Sequence, residues 1–471
     1  GDKMIRTTVN EIVNTIGGTV ICGSGETSFS QVYQDSRLIE CEGIFFAIRG
    51  DLLDGHDFVE SAVEKGAVAV VVEKDFVRNR GISFLDSLGD RATVIEVDNT
   101  VKALQLMAKD YVEKIRPVVV GVTGSTGKTT TRDMIYSICS EKFKTIKNPK
   151  NYNSNVGVPL TVFQLEEDTR VAVIEMGTDH RGEIFEIADI VRPNVAVITN
   201  IGLSHMEHFK TQKEIFLEKM DITAFMREGD CLIALDDGKF FPDDLKSYSS
   251  AYRSNLILTA LIGDKNRDNF KLESISETDY GIEVIMGFRD KGGIKQEKFS
   301  IPLKGKHNGE NAALAIAVAE MLGIDRDLIK SGLAKVEITG NRLEMTRSKD
   351  ILIIDDSYNA SPDSVKAAVD VLHSYRNNRR IAVLGDMYEL GKETEKFHRE
   401  VGEYTRERVD KLFSVGELGK FIDEDNNFQS IKKLSEFLKR ELKAGDVVLF
   451  KASRGMSLDI LVKDIKKWLG E

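Results

Sequence analysis

Residues 121–131 read GVTGSTGKTTT, between the apolar run 118–122 and a helical pattern that starts at Lys128. A short buried strand, a glycine loop ending in Gly-Lys-Thr and then a helix is an arrangement that holds a nucleoside triphosphate. Glycines let backbone N–H groups approach the phosphates, the lysine brings a point charge to the outer phosphates, and the threonine hydroxyl meets magnesium. The common Walker loop puts four residues between its first glycine and Gly-Lys; here Val122 holds that place and Gly121 lies one step too far. The variant Gly-Ser-Thr-Gly-Lys-Thr is narrower and more telling. It assigns Gly124, Ser125, Thr126, Gly127, Lys128 and Thr129, with the adjoining Thr130, to a nucleoside triphosphate.

Other chemically able residues follow strand ends. Glu175 closes strand 171–176 in VIEMG, and His205 follows strand 195–201 in TNIGLSHMEHF. The carboxyl ends of parallel strands face the ligand crevice, so both side chains should point towards the phosphates. Glu175 is a hard oxygen ligand suited to Mg²⁺. His205 is a less usual one, by type either a ligand or a loop histidine, and His208 reads as a surface residue. Lys219, in IFLEKMDITAF, reads from its local pattern as a surface lysine whose stem lies on apolar neighbours while its ammonium stays in water.

The elements that must position these groups alternate. After an opening helix (Val9, Ile12, Val13, Ile16, stopped by Gly17-Gly18) come strands at 44–48 and 68–73 and a helix over 99–115. Pro117 marks a boundary. Beyond it run strand 118–122, helix 128–143, strand 171–176, helix 183–190, strand 195–201 and helix 212–226, which predicts a mainly parallel sheet with helices on both faces. Segment 240–303 is polar and strand-like at 256–261 and 282–286, an expected antiparallel excursion. Residues 308–322, NGENAALAIAVAEML, read as the clearest amphipathic helix. A second boundary falls near 338–341, after which alternation restarts: strands 351–355, 381–384, 411–415 and 447–451, with helices 363–374, 394–408, 431–442 and 457–469. The expected class is α/β in three domains: 1–115, 116–338 with the P-loop-like parallel sheet, and 339–471, Rossmann-like without a glycine loop. Two such α/β domains imply a cleft between them.

The 471 residues suit about three domains. A net charge of −11 argues against a nucleic-acid partner. Cys22, Cys41, Cys139 and Cys231 show no CxxC spacing and read as reduced thiols of a cytoplasmic protein. No apolar run approaches the ~18 residues that span a bilayer, and GDKMIRTTVNEI does not resemble a signal peptide.

Together, GSTGKT, the glutamate of VIEMG, TNIGLSHMEHF and a lysine fourteen residues beyond its first histidine resemble the Mur ligases of peptidoglycan synthesis. The resemblance runs along nearly the whole chain. DSR at 35–37 and FFAIRGDLLDGHDF at 45–58 resemble the uridine-nucleotide domain of the last two ligases; GKHNGENAALAIAVA at 305–319 and GNRLE at 340–344 resemble the adenine side and the hinge. IIDDSYNASPDS at 353–364 and LGDMYELG at 384–391 resemble the member that adds D-Ala-D-Ala to UDP-MurNAc-tripeptide, and KASRGM at 451–456 resembles the family's last strand. The preceding member usually carries Tyr-Ala-His-Thr-Pro and Asp-Asn-Pro-Arg, which this chain lacks. The noted departure is Ser361, where Asn is common.

Carried over by position, the resemblance implies a task for each residue. Thr129 and Glu175 would bind one Mg²⁺; Lys219, carbamylated by CO₂, would hold a second Mg²⁺ with His205. His307, Asn308 and Asn311 lie on the adenine side, and Arg342 and Asp355 touch ATP phosphate or pin the third domain. Asn151, Asn153 and Asn155, in NYNSNVGVP, would orient the nucleotide-peptide unless they form a polar turn. Asp35, Ser36 and Arg37 would meet the UDP part, with an Asp-Arg surface ion pair as the plainer alternative. Tyr358, Asn359 and Ser361 would receive D-Ala-D-Ala. Asp356 would take the acceptor's proton or merely cap a loop. A cytoplasmic monomer acting on soluble substrates, without membrane insertion, is expected. Two rivals stand beside this reading: folylpolyglutamate synthase, which lacks the DSR domain, and a nucleotide switch without covalent chemistry, which leaves Glu175, His205 and Lys219 unexplained.

Overall fold

The computed structural model describes residues 4–470 except 41, 51, 90, 150, 203–208, 237, 241–257, 263–269, 291–292 and 340–342. Its centre is a nine-stranded sheet among those residues. Val118–Thr123, the strand that leads into the glycine loop, lies between Val195–Ile198 and Val171–Glu175, with Thr145–Lys147 outside the latter. Cys231–Leu235 and Leu258–Ile262 follow beyond Val195–Ile198, all parallel. Val118–Thr123, Val171–Glu175, Val195–Ile198 and Cys231–Leu235 are apolar runs buried almost throughout, as parallel strands covered by helices must be. The expected antiparallel excursion begins later than its sequence suggested. Leu258–Ile262 extends the parallel sheet, and Phe270–Thr278, Gly281–Asp290 and Gly293–Ile301 form the antiparallel meander.

Several expected elements change at their ends or faces. The opening helix is only Val9–Val13, the strand after it is Thr19–Cys22, and the helix expected over 212–226 is Gln212–Met220 followed by a 3₁₀ turn, Asp221–Thr223. Strand Val195–Ile198 stops early because Thr199 and Asn200 leave the sheet to brace the glycine loop. The helix at Lys306–Met321 is not amphipathic: positions 311–319 are all buried, because it is wedged between the helix Lys128–Ser140 and the antiparallel strands. Alanine-rich packing lets those elements approach from every side.

Ahead of this sheet lies a five-stranded one in the order Thr19–Cys22, Thr93–Val97, Ala67–Glu73, Gly43–Phe46, Gln31–Tyr33, parallel but for its first pair. The helix Thr100–Ile115 faces two ways. Its Leu104, Met107 and Ala108 join one continuous core with Phe46 and Val71 on one side and Val158, Ile184 and Ile187 on the other. Tyr111 ties the seam, its hydroxyl accepting from Ile5 N–H (2.9 Å) and donating to the Leu165 carbonyl (2.7 Å).

The third unit is a six-stranded sheet in the order Glu344–Ser348, Ile351–Asp355, Asp446–Lys451, Arg379–Gly385, Lys411–Val415, Asn427–Phe428. All pairs are parallel except the first, a hairpin whose two loop residues, Lys349 and Asp350, both have positive φ (45° and 62°); that backbone matches the strand twist. Apolar cores on its two faces draw on residues of this unit alone.

Candidate functional site

The glycine loop is held open by its neighbours. Gly124 has φ +150°, and a Cβ there would lie 1.8 Å from Thr199 Oγ1; Gly127 has φ +77°, with Asn311 Oδ1 2.5 Å from a Cβ. Side chains at either place would close the loop. Ser125 N–H donates to the Asn200 carbonyl (3.1 Å), Thr126 N–H to Asn200 Oδ1 (3.0 Å), and Thr199 Oγ1 to the Thr126 carbonyl (2.5 Å). Helix Lys128–Ser140 starts directly after, so its unpaired N–H groups and dipole face the loop. Lys128 Nζ donates to the Gly124 carbonyl at 2.9 Å.

Glu175 ends its strand beside this loop, 5% exposed. Its backbone is locked to Asn148 in both directions (2.8 and 2.9 Å). Its Oε2 accepts from Thr129 Oγ1 (2.8 Å) and Arg132 Nη1 (3.2 Å), and its Oε1 from Asn153 Nδ2 (3.1 Å). A carboxylate beside a threonine hydroxyl is the hard oxygen set that Mg²⁺ takes, so these residues fit that ion. Among the described residues no three His, Cys, Asp or Glu side chains gather as a metal site. His205 and His208, and likewise Arg342, lie outside the described residues.

Lys219 overturns the surface reading of its local pattern, for it is 2% exposed. Burial pushes its pKa well down, Lys128's charge pushes the same way, and Glu218 opposes them. Glu218 is committed elsewhere: it accepts from Gly182 N–H (2.7 Å), Ile184 N–H (3.0 Å) and Thr178 Oγ1 (3.1 Å), capping helix Glu183–Val191. Addition to CO₂ requires the free lone pair of an unprotonated amine, the form that burial favours, so Lys219 fits a carbamate.

Two adjoining clefts, of about 390 and 300 Å³, lie between the central sheet and the third unit and share Lys128, Asp179, Tyr358, Asn359 and Arg454. The larger gathers Ser125, Thr126, Gly127, Thr130, His307, Asn308 and Asn311 on one wall and Asp356, Tyr358, Asn359, Ser361, Tyr388 and Lys451 on the other. Thr129, Asn151, Asn153 and Glu175 line the smaller. Burial lowers the pKa of His307 and raises that of Glu310, another lining residue. Tyr358 reaches across to hydrogen-bond Asn151.

Some expected residues stand apart. Asp355 lines neither cleft; its Oδ1 accepts from Ser357 N–H (3.1 Å) and Oγ (2.6 Å). Asn155 turns to Glu186 (3.2 Å). In the amino-terminal unit Asp35 caps the turn Ser36–Leu38 and pairs with Arg37 at 2.7 Å, while Ser36 is buried and the Arg37 side chain is 82% exposed. The hydrogen bonds of Arg37 hold the Asp35 carboxyl below its usual range. The ion-pair alternative is therefore the arrangement this turn adopts.

Other site residues escaped sequence reasoning. Lys451 pairs with Asp356 at 2.6 Å and donates to the Asn359 carbonyl at 2.9 Å, both side chains nearly buried. Its signal was available: a lysine ending the apolar run VVLFK at the carboxyl end of a parallel strand. Tyr388 N–H donates to Ser453 Oγ (2.9 Å), tying the 384–391 segment to the 451–456 segment.

Profiles described as "Mur ligase family, catalytic domain", "Mur ligase middle domain" and "Mur ligase, glutamate ligase domain" match residues 29–112, 122–319 and 341–454. The UDP-N-acetylmuramoyl-tripeptide--D-alanyl-D-alanine ligase of Bacillus subtilis (strain 168) is 35% identical, over 98% of this chain and 99% of its own. A crystal structure of MurF from Acinetobacter baumannii superposes with TM-score 0.87 at 26% identity, covering 98% of this chain and 99% of that one. MurF ligase from Thermotoga maritima in complex with ADP gives TM-score 0.78 at 28% identity, covering 93% and 97%.

Proposed function

The chain belongs to the Mur ligase family, and from that premise we infer that it is the ATP-dependent ligase joining D-Ala-D-Ala to UDP-MurNAc-tripeptide, giving UDP-MurNAc-pentapeptide, ADP and phosphate for peptidoglycan. The observation that carries the acceptor is the wall opposite the glycine loop. It is built from the segments 356–361 and 388–390, the same ones whose sequence sets this ligase apart from its neighbours. The rival folylpolyglutamate reading fails on the amino-terminal unit, where residues 29–112 match the family's own profile.

The peptide carboxylate is a poor electrophile because its leaving group would be oxide. Its oxygen attacks the γ-phosphorus of ATP; the bond to the β-bridging oxygen breaks, and an acyl phosphate and ADP result. The acceptor amine then attacks the acyl carbon, phosphate leaves, and the amine loses a proton. Lys128 and the loop N–H groups hold the outer phosphates where negative charge shifts, which is positioning and electrostatic work. Thr129 and Glu175 would hold one Mg²⁺, and carbamylated Lys219 with His205 a second, and ions bound there would supply positive charge against the phosphoryl oxygens. The Lys451–Asp356 pair presents both signs of charge to the acceptor, a zwitterion, beside Tyr358 and Asn359. With Asp356 already held by an ammonium, its part is to place the acceptor rather than to act as a free base. The two-walled cleft encloses the acyl phosphate against hydrolysis.

Ser36 and Arg37 would meet the uridine diphosphate, Arg37 exchanging part of its pairing with Asp35 for phosphate. Among the described residues no helix is long and apolar enough to cross a membrane; nucleotide substrates support a reaction in the cytoplasm, and a cleft with both walls from one chain supports a monomer.

Mass-spectrometric product analysis with ATP, Mg²⁺ and UDP-MurNAc-tripeptides carrying lysine or diaminopimelate tests the acceptor. D-Ala-D-Ala should be far ahead of free glutamate, lysine or diaminopimelate, and phosphate release should need both co-substrates. A free amino acid as the better acceptor would assign the chain to an earlier ligation. In the same assay, Arg37→Ala should raise KM for the UDP-substrate and leave that for ATP unchanged; equal effects on both would mean that Arg37 only packs its domain.

A further inference from the structure

Arg132 is the bulkiest side chain below 2% exposure in the described structure, and the reaction as derived gives it no task. Burying a guanidinium is costly unless every charge around it is answered. Here each is. Arg132 Nε and Nη2 both reach Asp133 Oδ1 (2.9 and 2.6 Å), while Nη1 reaches the Asn148 carbonyl (3.0 Å) and Glu175 Oε2 (3.2 Å). Lys147 Nζ adds a second cation at Asp133 Oδ1 (2.8 Å), so two cations answer two carboxylates.

The other oxygen of Asp133 leads away from the loop. Its Oδ2 accepts the backbone N–H of Thr339 at 2.6 Å, and Lys147 Nζ also reaches Thr339 Oγ1 (3.3 Å). Thr339 lies in the segment between helix Arg326–Ala334 and strand Glu344–Ser348, the linker into the third unit. One hydrogen-bonded path therefore runs from that linker through Asp133 and Arg132 to Glu175. A carboxylate has about four acceptor positions. Among the described residues Thr129 and Arg132 occupy those of Oε2 and Asn153 one of Oε1, which leaves about one lone pair of Glu175 for a cation. Where that lone pair points depends on where Arg132 is held.

We propose that the Arg132–Asp133 pair is a positioning couple that aims Glu175 only while the linker is docked at Asp133, so that seating of the third unit and readiness of the metal-binding carboxylate are one event. The inference rests on the reading of Glu175 as a magnesium ligand. A linker pulled from Asp133 releases Oδ2, Asp133 turns, and the guanidinium it held shifts on Glu175.

The test uses the full chain and a readout apart from turnover: the Mg²⁺ midpoint for thermal stabilisation by a non-hydrolysable ATP analogue. Glu175→Gln should abolish the Mg²⁺-dependent part; retention of the parent midpoint would sink the ligand reading itself. With Glu175→Gln behaving so, Asp133→Asn and Thr339→Pro, which removes the donated N–H, should each raise the midpoint by about 10–100-fold, the usual effect of losing a partner of a metal ligand. Analogue binding in EDTA should stay unchanged. The double variant should be no worse than Asp133→Asn alone, because both cut one path. Midpoints within about threefold of the parent, or effects of the two that multiply, would overturn the coupling. If Asp133→Asn does not fold, Thr339→Pro alone decides, its midpoint rising or not.

Discussion

Lys219 shows at a single residue how function can oppose stability. Its amine is buried and its pKa is pushed far down. Below the ordinary lysine range the unfolded chain binds a proton there that the folded chain resists, so stability falls as pH drops through that range and the deficit persists at neutral pH. Lys219→Met, of similar length and apolar, should therefore abolish turnover yet melt higher than the parent at pH 7 in CO₂-depleted buffer. The gain should be roughly 2–4 °C for each kcal/mol of relieved burial, shrinking as pH rises towards the lysine range. Scanning calorimetry at both pH values would show it, and a lower melting temperature for the variant would mean that the amine is well compensated in the fold. Nothing local in IFLEKMDITAF separated buried from surface lysine; packing of Gln212–Met220 against its neighbours decided it. By contrast the strand, glycine loop and helix that carry Lys128 and Thr129 were legible from type and spacing, since few other uses require glycines, a lysine and a threonine in that register. The adjacent acids Asp355 and Asp356 were not separable by type: one turns back on Ser357 and the other into the cleft.

At the level of elements, long apolar strands and helices were legible because burial on both faces leaves unbroken runs. Glu344–Ser348 was not: EMTRS is a mostly exposed edge strand, and only its two-residue turn and its neighbour Ile351–Asp355 define it. The helix Lys306–Met321 was found but its face was misjudged, since alanines read as one side of a stripe when in fact all sides are covered. Close approach also sets the helix Arg326–Ala334. A Cβ at Gly332 would lie 2.5 Å from the Ile138 Cα and 2.9 Å from the Ser137 carbonyl oxygen, backbone that cannot yield cheaply. Gly332→Val should cost about 1–3 kcal/mol in denaturant unfolding with KM for ATP little changed, because neither cleft includes that residue. A loss of nucleotide affinity as large as the loss of stability would show that this contact reaches the loop.

Over the whole molecule, the alternation of strands and helices announced three α/β parts, but not how they share cores. The helix Thr100–Ile115 reads as the end of the first part, yet its apolar face completes a core with the second. The third part keeps its cores to itself. A fragment of residues 343–470 should accordingly unfold cooperatively by circular dichroism, whereas residues 4–115 alone should bind hydrophobic dye and melt without a clear transition. Cooperative melting of the shorter fragment would show that its half of the shared core suffices. The independence of the third part also bears on descent. The wall proposed for the acceptor is rooted in cores that owe nothing to the wall proposed for ATP, so each can accumulate substitutions without unsettling the packing beneath the other. Lineages could then change what is joined while inheriting, nearly untouched, the means of joining it.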